Sequence, residues 1–406
     1  VWLKRGNLGI TNTRVWNKGD SGTPMLELIF MNTDKLMING DLLQSISTQT
    51  FRDPSAWYNI VVAVDTSQGV AANRIKIYVN GTQITAWDAE DWPDQNDDIF
   101  IGTDWWMGRW SNGTSNNWDG YLSEVVYADG TAYAASDFGE TNSTTGQWVP
   151  KDVSGLTFGD NGFLLAFQDS SALGDDTSGN GNDFTSSGLA AADQTPDSPT
   201  LNRAVLNGVQ DGSSATAVMS EGNTRVAVSG STRIQRMSTI PLMGKVYWEV
   251  AVADNSQNIA GICDNTVFPM EYNDFQELLP PHVMVYDNAN LWYNDSYDTY
   301  SQPSNGQRWM FAYDADTGEL WGGVNGTWHN SGDPAAGTGE VGTVGTTTTW
   351  FIVIGGKSGA DQQLILGSDN MSHTVPSGFT ADLNVSQLDD PTIADPSAYF
   401  QTTLYT

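Results

Sequence analysis

RWMFAYDADTGELWGGVNGTW, residues 308 to 328, decides how this chain is read. Two apolar and aromatic runs flank a polar Asp-Ala-Asp-Thr-Gly, and a second reversal follows at Val324-Asn325-Gly326-Thr327. A two-residue type I′ turn requires positive φ at both central positions, which Asn and Gly tolerate best. Asn-Gly between strand-like runs is therefore the strongest short hairpin signal. The same tetrapeptide stands at Val79-Asn80-Gly81-Thr82, inside RIKIYVNGTQI (74–84), and both copies are expected to be turns. Asn-x-Thr also fits a glycosylation acceptor, but similar triplets at Asn112, Asn142, Asn294, Asn370 and Asn384 are what an Asn/Ser/Thr-rich composition yields.

Outward from these hairpins, alternating or β-branched runs recur: YNIVVAV (58–64), GYLSEVVYA (120–128), VYWEVAVA (246–253) and WFIVIGG (350–356), each bounded by Gly, Asn, Asp, Ser or Pro. Helical periodicity is almost absent. With 42 glycines and a charged fraction of 16%, the pattern predicts an all-β protein of antiparallel sandwiches with many tight turns. A chain of 406 residues, 39% of them hydrophobic, is long enough for two such cores.

The chain carries 17 basic against 48 acidic residues, a net charge of −31, which disfavours nucleic acid and anionic membrane as partners because both would be repelled. Cys263 is the one cysteine, so neither an intramolecular disulfide nor a Cys-based zinc site can form. No apolar run approaches the roughly 18 residues of a membrane span. Val1 opens a strand-like VWLKRG, and the chain is expected to be a piece of a longer polypeptide.

Residues 57–127 run WYNIVVAVDTS, RIKIYVNGTQI, IFIG, WDGYLSEVVYADG, an order that resembles the laminin-G-like, concanavalin A-like jelly rolls. The resemblance implies such a domain over 1–140, with an incomplete first strand. GKVYWEVAV (244–252) together with the 308–328 hairpin resembles a SPRY domain, implying a second concanavalin A-like sandwich over 201–380. The chain departs from the SPRY pattern with Tyr313 and Ala315 in place of Leu and with Gly322-Gly323 where a bulky residue is common. Between the two, residues 138–189 and AADQTPDSPTLNRAVLN (191–207) resemble a connector of tailed-phage virion proteins, notably marine ones. The connector is placed at 141–200. DDPTIADPSAYFQTTLYT (389–406) resembles the segment leading to a further module in those proteins, placed at 381–406. The resemblance implies a phage fibre or appendage on the virion surface, with other virion proteins as partners and a homo-oligomeric, for instance trimeric, assembly.

Catalytic constellations are sparse. The three histidines, His282, His329 and His373, lie far apart, and neither a G-x-S-x-G elbow nor an H-E-x-x-H motif is present. GGKSG (355–359) lacks the first glycine of a phosphate loop, where Phe351 stands, and no helical pattern follows it. Glycan hydrolysis needs two carboxylates about 5 to 10 Å apart. AWDAED (86–91) aligns Asp88 and Glu90 but has Ala86 where the family 16 glycosidases place a glutamate, and Glu271 and Glu277 sit in a polar stretch without alternation. The reading is of a protein that is not an enzyme. For metals, DTSGNGND (176–183) sets Asp176, Ser178 and Asn180 at the odd spacing of a calcium loop with Asp183 as a further donor, but Ser187 stands where an EF-hand closes with Glu. An Asx-rich turn reads equally well there.

Aromatic residues give the sharpest functional hint. Six of the 16 tryptophans, Trp87, Trp92, Trp105, Trp106, Trp110 and Trp118, fall between 87 and 118 among Asp, Asn and Arg residues that include Arg109 and Asp119. Sugar C–H faces stack on aromatic rings while hydroxyls need carboxylate or amide partners, and a loop over 104–119 would supply both. The expected function is adhesin-like binding of host surface polysaccharide. The alternatives are an architectural segment whose indoles meet other subunits and a polysaccharide depolymerase. A second aromatic group, Tyr286, Trp292, Tyr293, Tyr297 and Tyr300, is read as partly core.

Overall fold

The computed structural model describes residues 1–19, 26–40, 43–99, 104–110, 116–208, 217–264, 271–272, 283–287, 289–293 and 296–387. Among these the regular structure is β-strand with short 3₁₀ turns, and no α-helix occurs. The chain forms two compact units, one built on Val1–Thr200 and the other on Leu201–Leu388. Among the described residues no helix is long and apolar enough to cross a membrane.

The first unit opens with β1 (Trp2–Arg5), β2 (Thr13–Lys18), β3 (Leu26–Phe30), β4 (Lys35–Gly40), β5 (Leu43–Thr50), β6 (Trp57–Val64), β7 (Ile75–Val79), β8 (Thr82–Gln83), β9 (Trp87–Ala89), β10 (Trp105–Met107) and β11 (Gly120–Ser123). They form two antiparallel sheets, in the orders β11-β1-β6-β7-β8 and β10-β2-β3-β4-β5-β9. Alternation explains the packing: Ile75, Ile77 and Val79 of β7 are buried while Lys76 and Tyr78 between them are not. They meet Leu28, Phe30 and Ile38 of the facing sheet in one core, the sandwich that the sequence predicts.

Residues 141–200, read from the sequence as a connector, are part of this unit. β12 (Val125–Tyr127), β13 (Gly139–Thr141), β14 (Trp148–Pro150) and β15 (Phe163–Leu165) make two small sheets, β12 with β15 and β13 with β14. At Glu124 the backbone turns left-handed, with φ 48°, which breaks the run GYLSEVVYA and passes the chain from the large sheet to β12. Trp148 lies over the first VNGT turn, where a Cβ on Gly81 would stand 2.6 Å from its ring, and its indole N–H donates to Asn59. Lys4, buried on β1, pairs with Asp197 at 3.0 Å.

The second unit contains β16 (Ala217–Ser220), β17 (Arg225–Val228), β18 (Arg233–Met237), β19 (Lys245–Asp254), β20 (Asn258–Asp264), β21 (Glu271–Tyr272), β22 (Val283–Asp287), β23 (Asn290–Tyr293), β24 (Ser296–Thr299), β25 (Arg308–Asp314), β26 (Glu319–Val324), β27 (Thr327–Trp328), β28 (Gly342–Thr343), β29 (Trp350–Gly356) and β30 (Asp361–Ile365). One sheet runs β16-β17-β30-β19-β25-β26-β27, with β28 on β26, and the other β21-β18-β29-β20-β22-β23-β24. Trp248, Val250 and Phe311 of the first meet Tyr286, Ile262 and Ile352 of the second in the core. Leu383, beyond residue 380, is also buried there, and residues 388–406 of the expected C-terminal segment lie outside the described residues.

Both VNGT copies are hairpin turns. Val79 pairs with Thr82 and Val324 with Thr327, and φ is 47° and 79° at Asn80-Gly81 and 48° and 91° at Asn325-Gly326. These are the left-handed values that selected Asn-Gly in the sequence.

Candidate functional site

The six clustered tryptophans do not form one cluster. β9 and β10 occupy opposite edges of the same six-stranded sheet, so Trp87 and Trp105 are five strand spacings apart, about 24 Å along the sheet. At the β9 edge Trp87 meets Trp92 edge to face at 5.2 Å, and the Trp92 N–H donates to Glu90. Trp118 packs against Phe30, Trp110 lies under the Arg14 guanidinium, and Asp119 accepts hydrogen bonds from the backbone and side chain of Asn7. These residues serve the sandwich itself. The expected loop over 104–119 is in part a strand, because β10 pairs with β2, and residues 111–115 lie outside the described residues.

Trp105, Trp106 and Arg109 do line a cleft. β10 runs antiparallel to β2 with Trp105 opposite Lys18, Trp106 opposite Asn17 and Met107 opposite Trp16. Directly opposed residues share a face, so Trp105 and Lys18 project together, and Lys18 Nζ sits 4.9 Å from the Trp105 ring centre. Trp105 also contacts Trp16, Tyr127 and Phe163 at 5.6, 4.7 and 5.5 Å, while Trp106 lies 4.9 Å from the Arg109 guanidinium. Pairing of β12 with β15 sets Tyr127 opposite Phe163, and Phe184 packs on Phe163 at 4.9 Å.

Between these groups lies a cleft of about 850 Å³, a volume typical of ligand sites. One wall carries Lys18, Asp104, Trp105, Trp106 and Arg109; the other carries Tyr127, Asp129, Asn161, Phe163, Asn182, Asp183 and Phe184. A second chamber of about 720 Å³ shares Trp105, Met107, Tyr127 and Phe163 with it. Two cations, Lys18 and Arg109, face four carboxylates in the cleft, those of Asp98, Asp104, Asp129 and Asp183. Burial, reinforced by Asp129 and Asp98, pushes the Tyr127 hydroxyl up to about 12, so it remains a neutral donor. Aromatic faces beside carboxylates, amides and amines can stack on a ring and exchange hydrogen bonds with its hydroxyls.

The sequence reading missed Lys18, Tyr127, Asp129, Asn161, Phe163 and Phe184. The one signal it offered was Lys18 itself, a cation inside the strand pattern VWNK of a strongly acidic chain.

The proposed calcium loop folds on itself. Asp176 Oδ1 accepts from the Leu164 and Ser178 amides, and Oδ2 accepts from Ser178 Oγ and the Asn182 amide. Burial alone would raise this carboxyl, but those four bonds hold it below the usual carboxylate range. Asp183 Oδ1 accepts the Asp176 amide, and Asn180 donates to the carbonyls of Gly159 and Gly162. No group of three or more His, Cys, Asp or Glu side chains arranged to hold a metal occurs among the described residues. Asp176→Ala is expected to cost about 1–3 kcal/mol through the donors left unpaired. Urea melts with and without calcium check this, and a midpoint that calcium raises in the wild type but not in the variant would make the loop a metal site.

Of the histidines, His282 lies outside the described residues and His329 is buried in the second unit. His329 Nδ1 is 2.8 Å from the Tyr286 hydroxyl and Nε2 is 3.1 Å from Ser301 Oγ, which on distance alone resembles a nucleophile and its base. The protonation pattern argues otherwise. Tyr286 is fully buried and its hydroxyl is pushed well above its ordinary range, so it donates its proton to Nδ1. Nε2 then carries hydrogen and donates to Ser301, whose hydroxyl gains no base. Tyr286 itself is core, as are Trp292, Tyr293 and Tyr300 in part, while the Tyr297 side chain lies outside the described residues.

No protein-family model and no curated protein matches this chain. Among solved structures it is similar to the SPRY domain of human HERC1, at 12% identity and TM-score 0.28, over 38% of this chain and 95% of that one. It is likewise similar to the Drosophila melanogaster neuralized-NHR1 domain (13%, TM-score 0.29, 41% and 99%). A third similar structure is the TRIM65 PSpry domain (13%, TM-score 0.31, 41% and 90%).

Proposed function

We propose that this protein is a non-enzymatic, adhesin-like binding module whose first sandwich takes a surface glycan in the cleft beside Trp105. The observation that carries the reading is that one cleft of about 850 Å³ is lined by Trp105, Trp106 and Tyr127 together with Asp129 and Asn161, which hydrogen-bond each other, and with Asn182 and Asp183. Sugars require both surfaces at once. The placement in a phage fibre or appendage, among other virion proteins and in a homo-oligomer, rests on the sequence resemblance of residues 138–207 and 389–406, and antibody labelling of intact particles tests it.

Binding to an immobilised panel of bacterial surface polysaccharides tests the cleft. Trp106→Ala and Arg109→Ala are each expected to weaken binding about tenfold, the equivalent of about 1.4 kcal/mol. Trp87→Ala, at the opposite edge of the sheet, should leave it unchanged. Equal losses from Trp87→Ala and Trp106→Ala would reject the cleft, and release of reducing ends would replace binding by depolymerisation.

A further inference from the structure

Lys18 is only 8% exposed, yet among the described residues no acceptor lies within hydrogen-bond distance of its ammonium. It stands against aromatic rings: Nζ is 4.9 Å from the Trp105 ring centre and 5.8 Å from that of Tyr127. Burial lowers its pKa, while Asp129, Asp104 and Asp98 oppose that shift through space without a hydrogen bond. The ammonium is not sealed off: its stem is packed under the aromatic rings while Nζ opens on the cleft, where its donors face solvent and no acceptor among the described residues holds them. A cation in the wall of an open cleft, steered by Trp105 and Tyr127 and not engaged by a protein acceptor, is a donor available to a ligand.

Resting on the glycan reading above, we infer that Lys18 is the specificity-determining donor of the cleft and that the ligand is an uncharged, polyhydroxylated sugar residue. A ring stacked beside Trp105 presents hydroxyl oxygens that accept from Nζ and hydroxyl hydrogens that reach the surrounding carboxylates. A uronate or sialic-type carboxylate would gain the Lys18 charge but approach Asp98, Asp104, Asp129 and Asp183, four negative groups against Lys18 and Arg109. The net field of the cleft, within a chain of net charge −31, disfavours it. A free amino sugar is drawn in by that net field, but a ring stacked on Trp105 sets its ammonium against Lys18, whose Nζ is 4.9 Å from the Trp105 ring centre, and the local repulsion opposes it.

The test titrates the full chain with cellohexaose, laminarihexaose and the N-acetylglucosamine hexamer as neutral probes, with oligo-alginate as the acidic probe and the glucosamine hexamer as the cationic one. At least one neutral oligomer is expected to bind ten or more times tighter than either charged probe. Lys18→Met is expected to weaken that binding tenfold or more while its thermal midpoint stays at or above the wild-type value, and Lys18→Arg should keep part of the affinity. Tighter binding of alginate, or of the glucosamine hexamer, overturns the neutral-sugar inference and leaves the glycan reading intact. Unchanged neutral binding in a folded Lys18→Met variant overturns the role of Lys18. Should Lys18→Met fail to fold, the wild-type panel and Lys18→Arg still decide the charge class. If no oligosaccharide binds the folded wild type, the glycan reading fails and this inference with it.

Discussion

Replacing Glu249 by alanine is expected to destabilise the second sandwich by about 3 kcal/mol, near the lower end of what removing one member of a buried charge pair costs. Glu249 lies in the middle of β19, and its side chain is fully buried. Oε2 accepts from Arg308 at 2.7 Å and from the Ser372 amide at 3.0 Å, and Oε1 accepts from the Tyr247 hydroxyl at 2.8 Å and the His373 amide at 2.9 Å. His373 Nδ1 also lies 3.1 Å from Oε1, and alanine would leave all of these groups without their acceptor. The lower end of the range applies because Arg308 is 24% exposed and also donates to the Asn370 carbonyl, so it recovers part of its solvation. The same carboxylate holds Ser372 and His373 in place while Met371, Val375 and Phe379 cover Tyr247, Met310 and Trp321.

The pH dependence of this contribution has a definite sign. Burial alone would raise the Glu249 carboxyl, but the bonds from Ser372, Arg308, Tyr247 and His373 outweigh it and hold its pKa below the ordinary value. A depressed folded-state pKa means that the unfolded chain binds the proton more tightly. The stabilisation is therefore complete above the unfolded value of about 4.3 and is lost as pH falls through the folded one. Denaturation midpoints at pH 7 and pH 3 should converge between wild type and Glu249→Gln as acid is added. A gap that is equal at both pH values would assign the effect to packing.

Local elements were legible in the sequence because their causes are local. Asn80-Gly81 and Asn325-Gly326 fold as read since positive φ is a property of those residues and not of distant contacts. The site was half legible for the opposite reason. Trp87 to Trp118 form a dense group along the chain, but β2 to β5 are inserted between β10 and β9 in the sheet, and proximity in sequence became distance in space. The far wall of the cleft comes from Tyr127 to Phe184, held there by the β12–β15 pairing. FLL is a three-residue strand between GDNG and AFQD, too short for periodicity to separate from a loop. Its apolar run gave no sign of which edge it would join.

Asp34→Ala in the first sandwich is expected to cost about 3–5 kcal/mol, because it strands an arginine that has almost no access to water. Arg5 on β1 has a side chain 1% exposed, with Nη1 donating to Asp34 Oδ1 at 3.0 Å and to the Phe51 carbonyl at 2.6 Å, and its guanidinium 4.7 Å from the Phe30 ring centre. Burial pulls the Arg5 pKa down and Asp34 is the main opposing charge, so the cation is tolerated because of that carboxylate. The opposite oxygen of Asp34 pairs with Arg52, but that arginine is 63% exposed, and its pair is worth about 1 kcal/mol at most. The contrast makes the experiment decisive. Arg52→Ala removes the exposed partner of this carboxylate and Asp34→Ala the carboxylate itself, and urea denaturation should register a small loss for the first and a loss several times larger for the second. Asp34→Asn should fall between them, since an amide oxygen still accepts from Arg5 and from the Gly9 amide that donates to it at 2.9 Å. Equal losses for Arg52→Ala and Asp34→Ala would mean that Arg5 finds water when its partner is gone, and that burial on β1 costs less than the static contacts imply.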